Sequence, residues 1–303
     1  MDGLSAVLDQ IRLNSVVYFK SNFAPSWGMD VQKGPFAQFH IIAEGDCCFK
    51  CDGEETKELT AGDILIFPNG TAHWLAHTAH SKKLNGQDVV SSIMQGRSIF
   101  QTEHSATTLI CGHFEFDRSV DHPFLTSLPN IIHIRNIEGG GFSWILNIAN
   151  LLIAETQTDS TGSSVIAERL AEALFISAIR YYIDQDHDQP FLAALYDQKI
   201  STTLQLIHAN PEKEWSLENL SKEAGMSRSS FANHFRDKVG QTPMHYLTNW
   251  RMLIARRILE ESQEPISEVA EKVGYGSEPA FNRAFKKVVN QTPARFRRGR
   301  AAA

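Results

Sequence analysis

No stretch of this 303-residue chain is apolar for the roughly 20 residues that a bilayer span requires, so no transmembrane helix is expected. The start, Met1-Asp2-Gly3-Leu4-Ser5, lacks the basic segment and apolar run of a secretory signal, which predicts a cytosolic protein. Cysteine is scarce: there are four, three of them crowded as Cys47, Cys48 and Cys51, with Cys111 apart. That excludes a disulfide-stapled scaffold, and in the cytosol these side chains are expected as thiols. Acidic residues stop at Glu278, after which come Arg283, Lys286, Lys287, Arg295, Arg297, Arg298 and Arg300.

The net charge of −6 hides a division. Residues 196–303 hold 17 Lys and Arg against 12 Asp and Glu, a balance of +5, whereas residues 1–195 stand at −11. A basic tail of this kind neutralises phosphates and releases counterions, a salt-sensitive source of affinity for nucleic acid.

What is present in that basic half is a duplication. The segment from Leu217 to Pro243 returns about fifty residues later, and both copies end in Gln-Thr-Pro, at 241–243 and 291–293. From Ser227 and Ser277 onward the offset is constant, pairing Phe231 with Phe281, Phe235 with Phe285 and Val239 with Val289. Each copy reads as a short apolar-periodic helix (Leu217, Leu220, Ala224; Ile266, Val269, Val273), a turn with Gly225 or Gly274, and a second helix. Ser227 and Ser277 are expected N-caps, and Pro265 and Pro279 fall where a helix start tolerates proline. This is a helix-turn-helix plan, about 215–243 and 265–293, with the second helix of each unit directed at a major groove. The Phe residues and Trp250, at helical spacing, are expected in the core. Between the copies, Leu247, Trp250, Ile254 and Ile258 predict one helix over 244–260, a strut that would set two recognition helices about one DNA turn apart, roughly 34 Å.

On these residues the last hundred positions resemble the AraC/XylS family of bacterial transcription regulators: Ala224-Gly225-Met226-Ser227 with Phe231 and Phe235, then Ile266 to Val273, Gly274-Tyr275, Ser277, Phe281, Phe285 and Thr292-Pro293. The resemblance implies groove-facing residues Arg228, Ser229, Ala232 and Asn233 in the first recognition helix, and Glu278, Pro279, Asn282 and Arg283 in the second. Arg236, Lys286 and Lys287 join them as candidate DNA-binding residues. Arg228 and Arg283 have the fork to bind guanine, and Asn233 and Asn282 suit adenine. Glu278 can accept from cytosine, or serve as the acidic residue that a helix N-terminus favours. Asn233-His234 stands where many relatives carry Arg, which leaves the first half-site preference open.

The N-terminal half reads as strands, then helices. β-rich runs recur at 16–19, 36–42, 47–51, 63–67, 98–101 and 108–116, parted by turns such as Asp52-Gly53 and Pro68-Asn69-Gly70. The spacing favours a small barrel or sandwich, with a polar loop over 77–107. Helical patterns follow at 142–156 and 165–183, with apolar faces at Trp144, Ile148, Leu151 and Leu152 and at Leu170, Leu174 and Ile179, suited to dimer contact or to packing on the barrel. The fold class is therefore α+β: an N-terminal β-barrel domain with linker helices over 1–190, and an all-α DNA-binding domain over 191–303, whose first helix is near 197–209.

Gly62-x5-Pro68-x-Gly70-x2-His73 resembles the second motif of the cupin barrel, and the resemblance implies that 1–190 is a cupin-like sensor domain with an inward His73. The first motif, which in metal-binding cupins supplies two His and a Glu, is missing; only His40 and Glu44 lie near its place. No metal or other cofactor is therefore assigned, with a barrel metal held by His40, His73, Cys111 and His113 as the alternative. The candidate ligand-binding residues are His40, Phe67 and His73; Trp74 alternates with His73, so one of the two points out. Cys47, Cys48, Cys51 and Cys111 are redox candidates, since some cupin-bearing members of the family respond to oxidants.

The expected function is a sequence-specific, non-enzymatic regulator whose barrel senses a small molecule or redox change. Its expected partners are promoter DNA, an effector, RNA polymerase and a second copy of the chain. The rival readings are a cupin enzyme tethered to DNA and a nucleoid-type binder with no sensing role.

Overall fold

The two periodicities of the sequence, alternation in the first half and a 3.6-residue repeat in the second, become two kinds of architecture in the computed structural model, which describes residues 2–97, 99–100, 105–116, 122–136, 143–158, 160–185 and 190–300. The strands are β1 (Asn14–Phe23), β2 (Gly28–Val31), β3 (Ala37–Cys51), β4 (Lys57–Thr60), β5 (Ile64–Phe67), β6 (His73–Ala76), β7 (Leu84–Asn85), β8 (Thr107–Glu115) and β9 (Ile132–Ile134). The helices before the basic half are α1 (Gly3–Gln10), α2 (Gly86–Met94), α3 (Pro123–Thr126), α4 (Ser143–Glu155) and α5 (Ser163–Asp184). Those of the basic half are α6 (Pro190–Ala194), α7 (Gln198–Ala209), α8 (Leu217–Glu223), α9 (Arg228–Val239), α10 (Pro243–Glu261), α11 (Ile266–Lys272), α12 (Glu278–Val289) and α13 (Pro293–Arg300).

Backbone contacts divide the chain into two compact units. One comprises Leu13–Phe116 and Leu128–Asp186; the other comprises Met1–Arg12, Asp117–Ser127 and His187–Ala303. A single cut at residue 190 therefore does not describe the structure, because two earlier segments join the helical unit. The leading segment does so through charge: Arg12 reaches Glu260 at 2.7 Å and Glu261 at 2.5 Å, and Arg257 reaches Asp9 at 2.7 Å.

Among the described residues the β unit is one nine-stranded sheet, in the order β1-β8-β3-β6-β2-β7 with β4, β5 and β9 attached through β3 and β5, curled into a half-barrel. The expected strands at 36–42 and 47–51 are a single strand, β3. Its first half pairs β5 and β8, its second half β4 and β6, and the register slips against β8 between Ile42 and Glu44. An extra residue in one strand bends it and increases its twist, which is how one strand serves both walls. Phe23, Trp27, Phe49, Phe67, Leu75 and Leu109 fill the interior. Helix α5 lies on the outside of the same sheet: Phe175 meets Phe114 at 4.8 Å, and the Ser15 hydroxyl donates to Glu168 O at 2.7 Å. Of the expected apolar face of α4, Leu152 is buried and Leu151 exposed.

Two sequence expectations fail here. The polar stretch over 77–107 is not a loop throughout, since it contains β7 and α2; the Asn85 side chain accepts from the amides of Gln87 and Asp88, and Val89 is buried. In the strand expected over 98–101, Ile99 and Phe100 are not in a strand, and positions 98 and 101 lie outside the described residues.

In the helical unit the duplication is visible element by element. Phe231, Phe235 and Val239 are buried on α9; Phe281 and Phe285 are buried on α12. Helix α10 spans about 28 Å at about 1.5 Å per residue, starting with Thr242 as cap and Pro243 in its first turn. Arg251, midway along it, ties the second copy to the segment that leads into the first. Its Nε donates to Pro211 O at 2.7 Å and an Nη to Lys213 O at 2.9 Å, while the guanidinium lies over Tyr275. Ser227 caps α9 by accepting from Ser230 N, but Ser277, in the equivalent place, makes no side-chain cap bond; Pro279 has removed one of the amides it would serve.

The turn glycines differ in a testable way. Both have positive φ, yet a Cβ on Gly225 would meet nothing within 4 Å, whereas one on Gly274 would sit 2.6 Å from Glu212 O and 2.5 Å from the Arg251 guanidinium. Gly225→Ala is expected to cost only the left-handed penalty of about 1 kcal/mol, and Gly274→Ala clearly more, on the order of 2–3 kcal/mol. Urea midpoints of the two variants check the order; equal losses would contradict it.

Candidate nucleic-acid interface and effector pocket

The buried stripes of α9 and α12 fix what their other faces present. On α9, Arg228, Ser229, Asn233 and Arg236 are exposed; on α12, Glu278, Arg283, Lys286 and Lys287 are exposed. At the offset of fifty, Asn233 and Arg283 occupy equivalent places, as do Arg236 and Lys286. Asn282 matches Ala232; both are half-buried, and the Asn282 amide leans towards Glu278 Oε1 at 3.5 Å. Arg228 lies 3.9 Å from Glu218 with both side chains largely exposed, a contact that solvent screens and that a phosphate or base can replace. His234 faces inward and bonds Asp197 Oδ2 at 2.8 Å, tying the recognition helix to the cap of α7. The residue that made the first half-site ambiguous is thus a structural one, and Asn233 carries that turn of the outward face.

Behind these exposed faces, His122, Tyr246 and His208 form a mostly buried chain in the helical unit. The Phe124 amide donates to His122 Nδ1, so a neutral His122 carries its proton on Nε2 and donates to Tyr246 Oη at 3.2 Å; Tyr246 in turn donates to His208 Nε2 at 2.7 Å. Burial pushes both histidines down to about 3.

In the β unit, His40, Phe67 and His73 come together. His73 stacks flat on Phe67 at 3.6 Å and its Nε2 is 2.9 Å from His40 Nε2; His40 Nδ1 is 3.1 Å from Cys111 Sγ. One carbonyl orders this chain of protons. Thr71 O can only accept, so His73 Nδ1 donates to it at 2.7 Å; a neutral His73 then accepts at Nε2 from His40, whose Nδ1 accepts from the Cys111 thiol. Desolvation holds His73 down to about 4 and His40 well below the usual imidazole range, and pushes the Cys111 thiol up. The ring nitrogens are committed to one another and to Thr71 O and Cys111, and among the described residues no group of three His, Cys, Asp or Glu is placed to hold a metal. His113 does not join the chain; it pairs with Glu115 at 3.0 Å and packs on Tyr18 and Phe36. Trp74 points away from His73, under the Lys83 ammonium.

Linkage gives these histidines a pH signature. Folded pKa values below the unfolded value of about 6.5 mean that the unfolded chain binds more protons between that value and about 4. Stability is therefore fully present above about pH 6.5 and falls as pH drops through the window, by up to ~1.4 kcal/mol per pH unit per histidine. A denaturation midpoint that stayed level from neutrality to about pH 5 would contradict this.

Beside the chain lies a cavity of about 420 Å³. Its floor is Gln38, His40 and Cys111, on β3 and β8; its walls include Tyr18, Met29, Val31 and Val90. Tyr18 sits in the bulge of β1, at the register slip between Val17 and Phe19, which re-aims its ring. Exposed Gln32, Gln87 and Ser91 mark the mouth, so α2 closes one side. Gly70, of the recognised motif, holds the rim: at φ +60 its missing Cβ leaves room for Gly34 O, at 2.2 Å from where that carbon would stand.

All four cysteines are buried and free. Cys47, Cys51 and Cys111 belong to the apolar core of the sheet, and the Cys48 thiol donates to Ala76 O. Desolvation raises all of them, Cys51 to about 11.

Two matched helix-turn-helix units on one strut, in the same chain as a curled sheet with a cavity, define a one-chain DNA-binding regulator. Comparison with known proteins agrees. A cupin family model matches residues 2–184 and a helix-turn-helix domain model residues 220–299. The chain is 32% identical to the HTH-type transcriptional regulator AlkR of Acinetobacter baylyi, over 98% of this chain and 99% of that one. It is 26% identical to the RCS-specific HTH-type transcriptional activator RclR of Escherichia coli K12, over 98% and 97%. Among solved structures, the DNA-binding domain of AdpA, in complex with a target DNA, is 30% identical over 33% of this chain and 90% of its own length, with a TM-score of 0.32. The chain belongs to the AraC/XylS family of transcription regulators, with a cupin-type N-terminal domain. No helix among the described residues is long and apolar enough to cross a membrane.

Proposed function

We propose that this regulator is controlled by a small molecule taken up in the cavity of the cupin sheet, and that it reads its promoter through Arg228, Ser229, Asn233 and Arg236 on α9 and through Glu278, Asn282, Arg283, Lys286 and Lys287 on α12. The observation that carries the proposal is the cavity itself: about 420 Å³, within the size range of ligand pockets, built on the family's sensor domain and floored by uncharged polar groups. The proposal assigns no catalytic step, because the histidines that an enzyme would use are bound to one another. It includes RNA polymerase at the promoter and a homodimer through α4 and α5, where Leu151, Val165 and Ile166 are exposed.

Filling the cavity tests the proposal. With Val90→Trp, promoter output in a reporter strain is expected to stay at one level across growth conditions that vary the output of the wild type. Output that still follows the conditions would contradict it. The redox reading is disfavoured by burial, since the thiolate and not the thiol is the nucleophile. Alkylation of the folded protein by a maleimide is expected to be slow, at the pace of unfolding; rapid labelling of Cys48 or Cys51 would restore the redox reading.

A further inference from the structure

The cavity also says what kind of molecule it takes. Among the described residues that line it there is no Asp, Glu, Lys or Arg, and its one imidazole, His40, is neutral with both nitrogens engaged. An ionised ligand would lose its hydration there with no counter-charge in return. The N-terminus of α2, where Gly86 and Gln87 meet the cavity, does not supply one either. Asn85 already accepts from the amides of Gln87 and Asp88, and Asp88 places a carboxylate in that first turn.

The floor has one unmet polar demand. Gln38 Oε1 is buried with no hydrogen-bond partner among the described residues. Its amide, between Phe67 and His113 in the register of the sheet, presents a donor and an acceptor in one plane. The walls from Met29, Val31, Tyr18 and Val90 are mainly apolar, so they suit a hydrocarbon or aromatic body and disfavour a molecule with many hydroxyls. A cavity of about 150 Å³ takes benzene, so about 420 Å³ corresponds to on the order of fifteen heavy atoms.

We propose that the effector is an uncharged amphiphile, an apolar body of that size ending in one uncharged hydrogen-bonding group, such as an alcohol, that docks on Gln38. This rests on the reading of the cavity as the effector site and narrows it to a chemical class.

The test uses the purified full-length protein and two probes of equal chain length, 1-decanol and decanoate, titrated calorimetrically at about pH 7.5. Decanol is expected to bind at least about tenfold more tightly than decanoate, and Gln38→Leu to weaken decanol by roughly three- to tenfold, the effect of one neutral hydrogen bond. Equal or tighter binding of decanoate, no binding of either probe, or full decanol affinity in Gln38→Leu would each overturn the proposal. The comparison of probes on the wild type needs no variant to fold. The failures are separable: if neither probe binds but Val90→Trp fixes promoter output, the chemical class is wrong and the sensor reading stands. If decanol binds as expected while Val90→Trp output still follows conditions, the class stands and the sensor reading fails.

Discussion

Arg283→Ala is expected to lower affinity for the operator by about 5- to 150-fold, corresponding to roughly 1–3 kcal/mol, and to relax preference at one base pair. The size follows from geometry. Arg283 leaves α12 on the turn opposite buried Phe281 and Phe285, and a guanidinium fork on guanine O6 and N7 is among the strongest sources of base discrimination. Lys286, one turn further along, should behave otherwise: Lys286→Ala weakens all sequences evenly and flattens the salt dependence, as loss of a phosphate contact does. Titrations of both variants against the operator and single-base substitutions of it separate the roles. Equal loss on every sequence from Arg283→Ala would show that it contacts backbone.

The second large effect concerns stability. Phe281→Ala is expected to destabilise the helical unit by about 3–5 kcal/mol. Phe281 is fully buried with Met252, Leu259, Val269, Phe285 and Phe296, and its ring packs edge-on to Tyr275 and tilted on Phe285. Truncation leaves a void among side chains that belong to α10, α11, α12 and α13, so the platform that aims the second recognition helix loosens as a whole. Chemical denaturation with near-ultraviolet circular dichroism reads the loss; a change below about 1 kcal/mol would mean that the site collapses around alanine.

The helical unit was legible in the sequence because duplication supplies its own control: Phe231 with Phe281 and Gly225 with Gly274 could be aligned within one chain, and the helix over 244–260 followed from a 3.6-residue stripe. The sheet was less legible. β2, β4 and β6 have four residues each, too few for alternation to stand out, and β3 looked like two strands because its bulge interrupts the pattern at Ile42 to Glu44. Helix α2 resembles a loop in the sequence because only a narrow stripe, with Val89 at its centre, is buried. The motif around Gly70 and His73 pointed to the histidine chain, where His40 and Phe67 do meet His73, but of the three only His40 lines the cavity. Gln38, Tyr18 and Val90 were missed: polarity in a strand, a bulge in β1 and a helix taken for a loop leave no local signature. The alternation of inward His40 with Gln38 two residues earlier could have flagged Gln38.

The central claim is that two recognition helices on one strut enter successive major grooves of one duplex. Hydroxyl-radical and methylation footprinting of the purified protein, on a site selected from random DNA at moderate ionic strength, tests it most directly. The account expects two protected segments on one face, about one helical turn apart, with Arg283→Ala erasing protection at one of them. A single protected segment, or even protection with no preferred site, would contradict it.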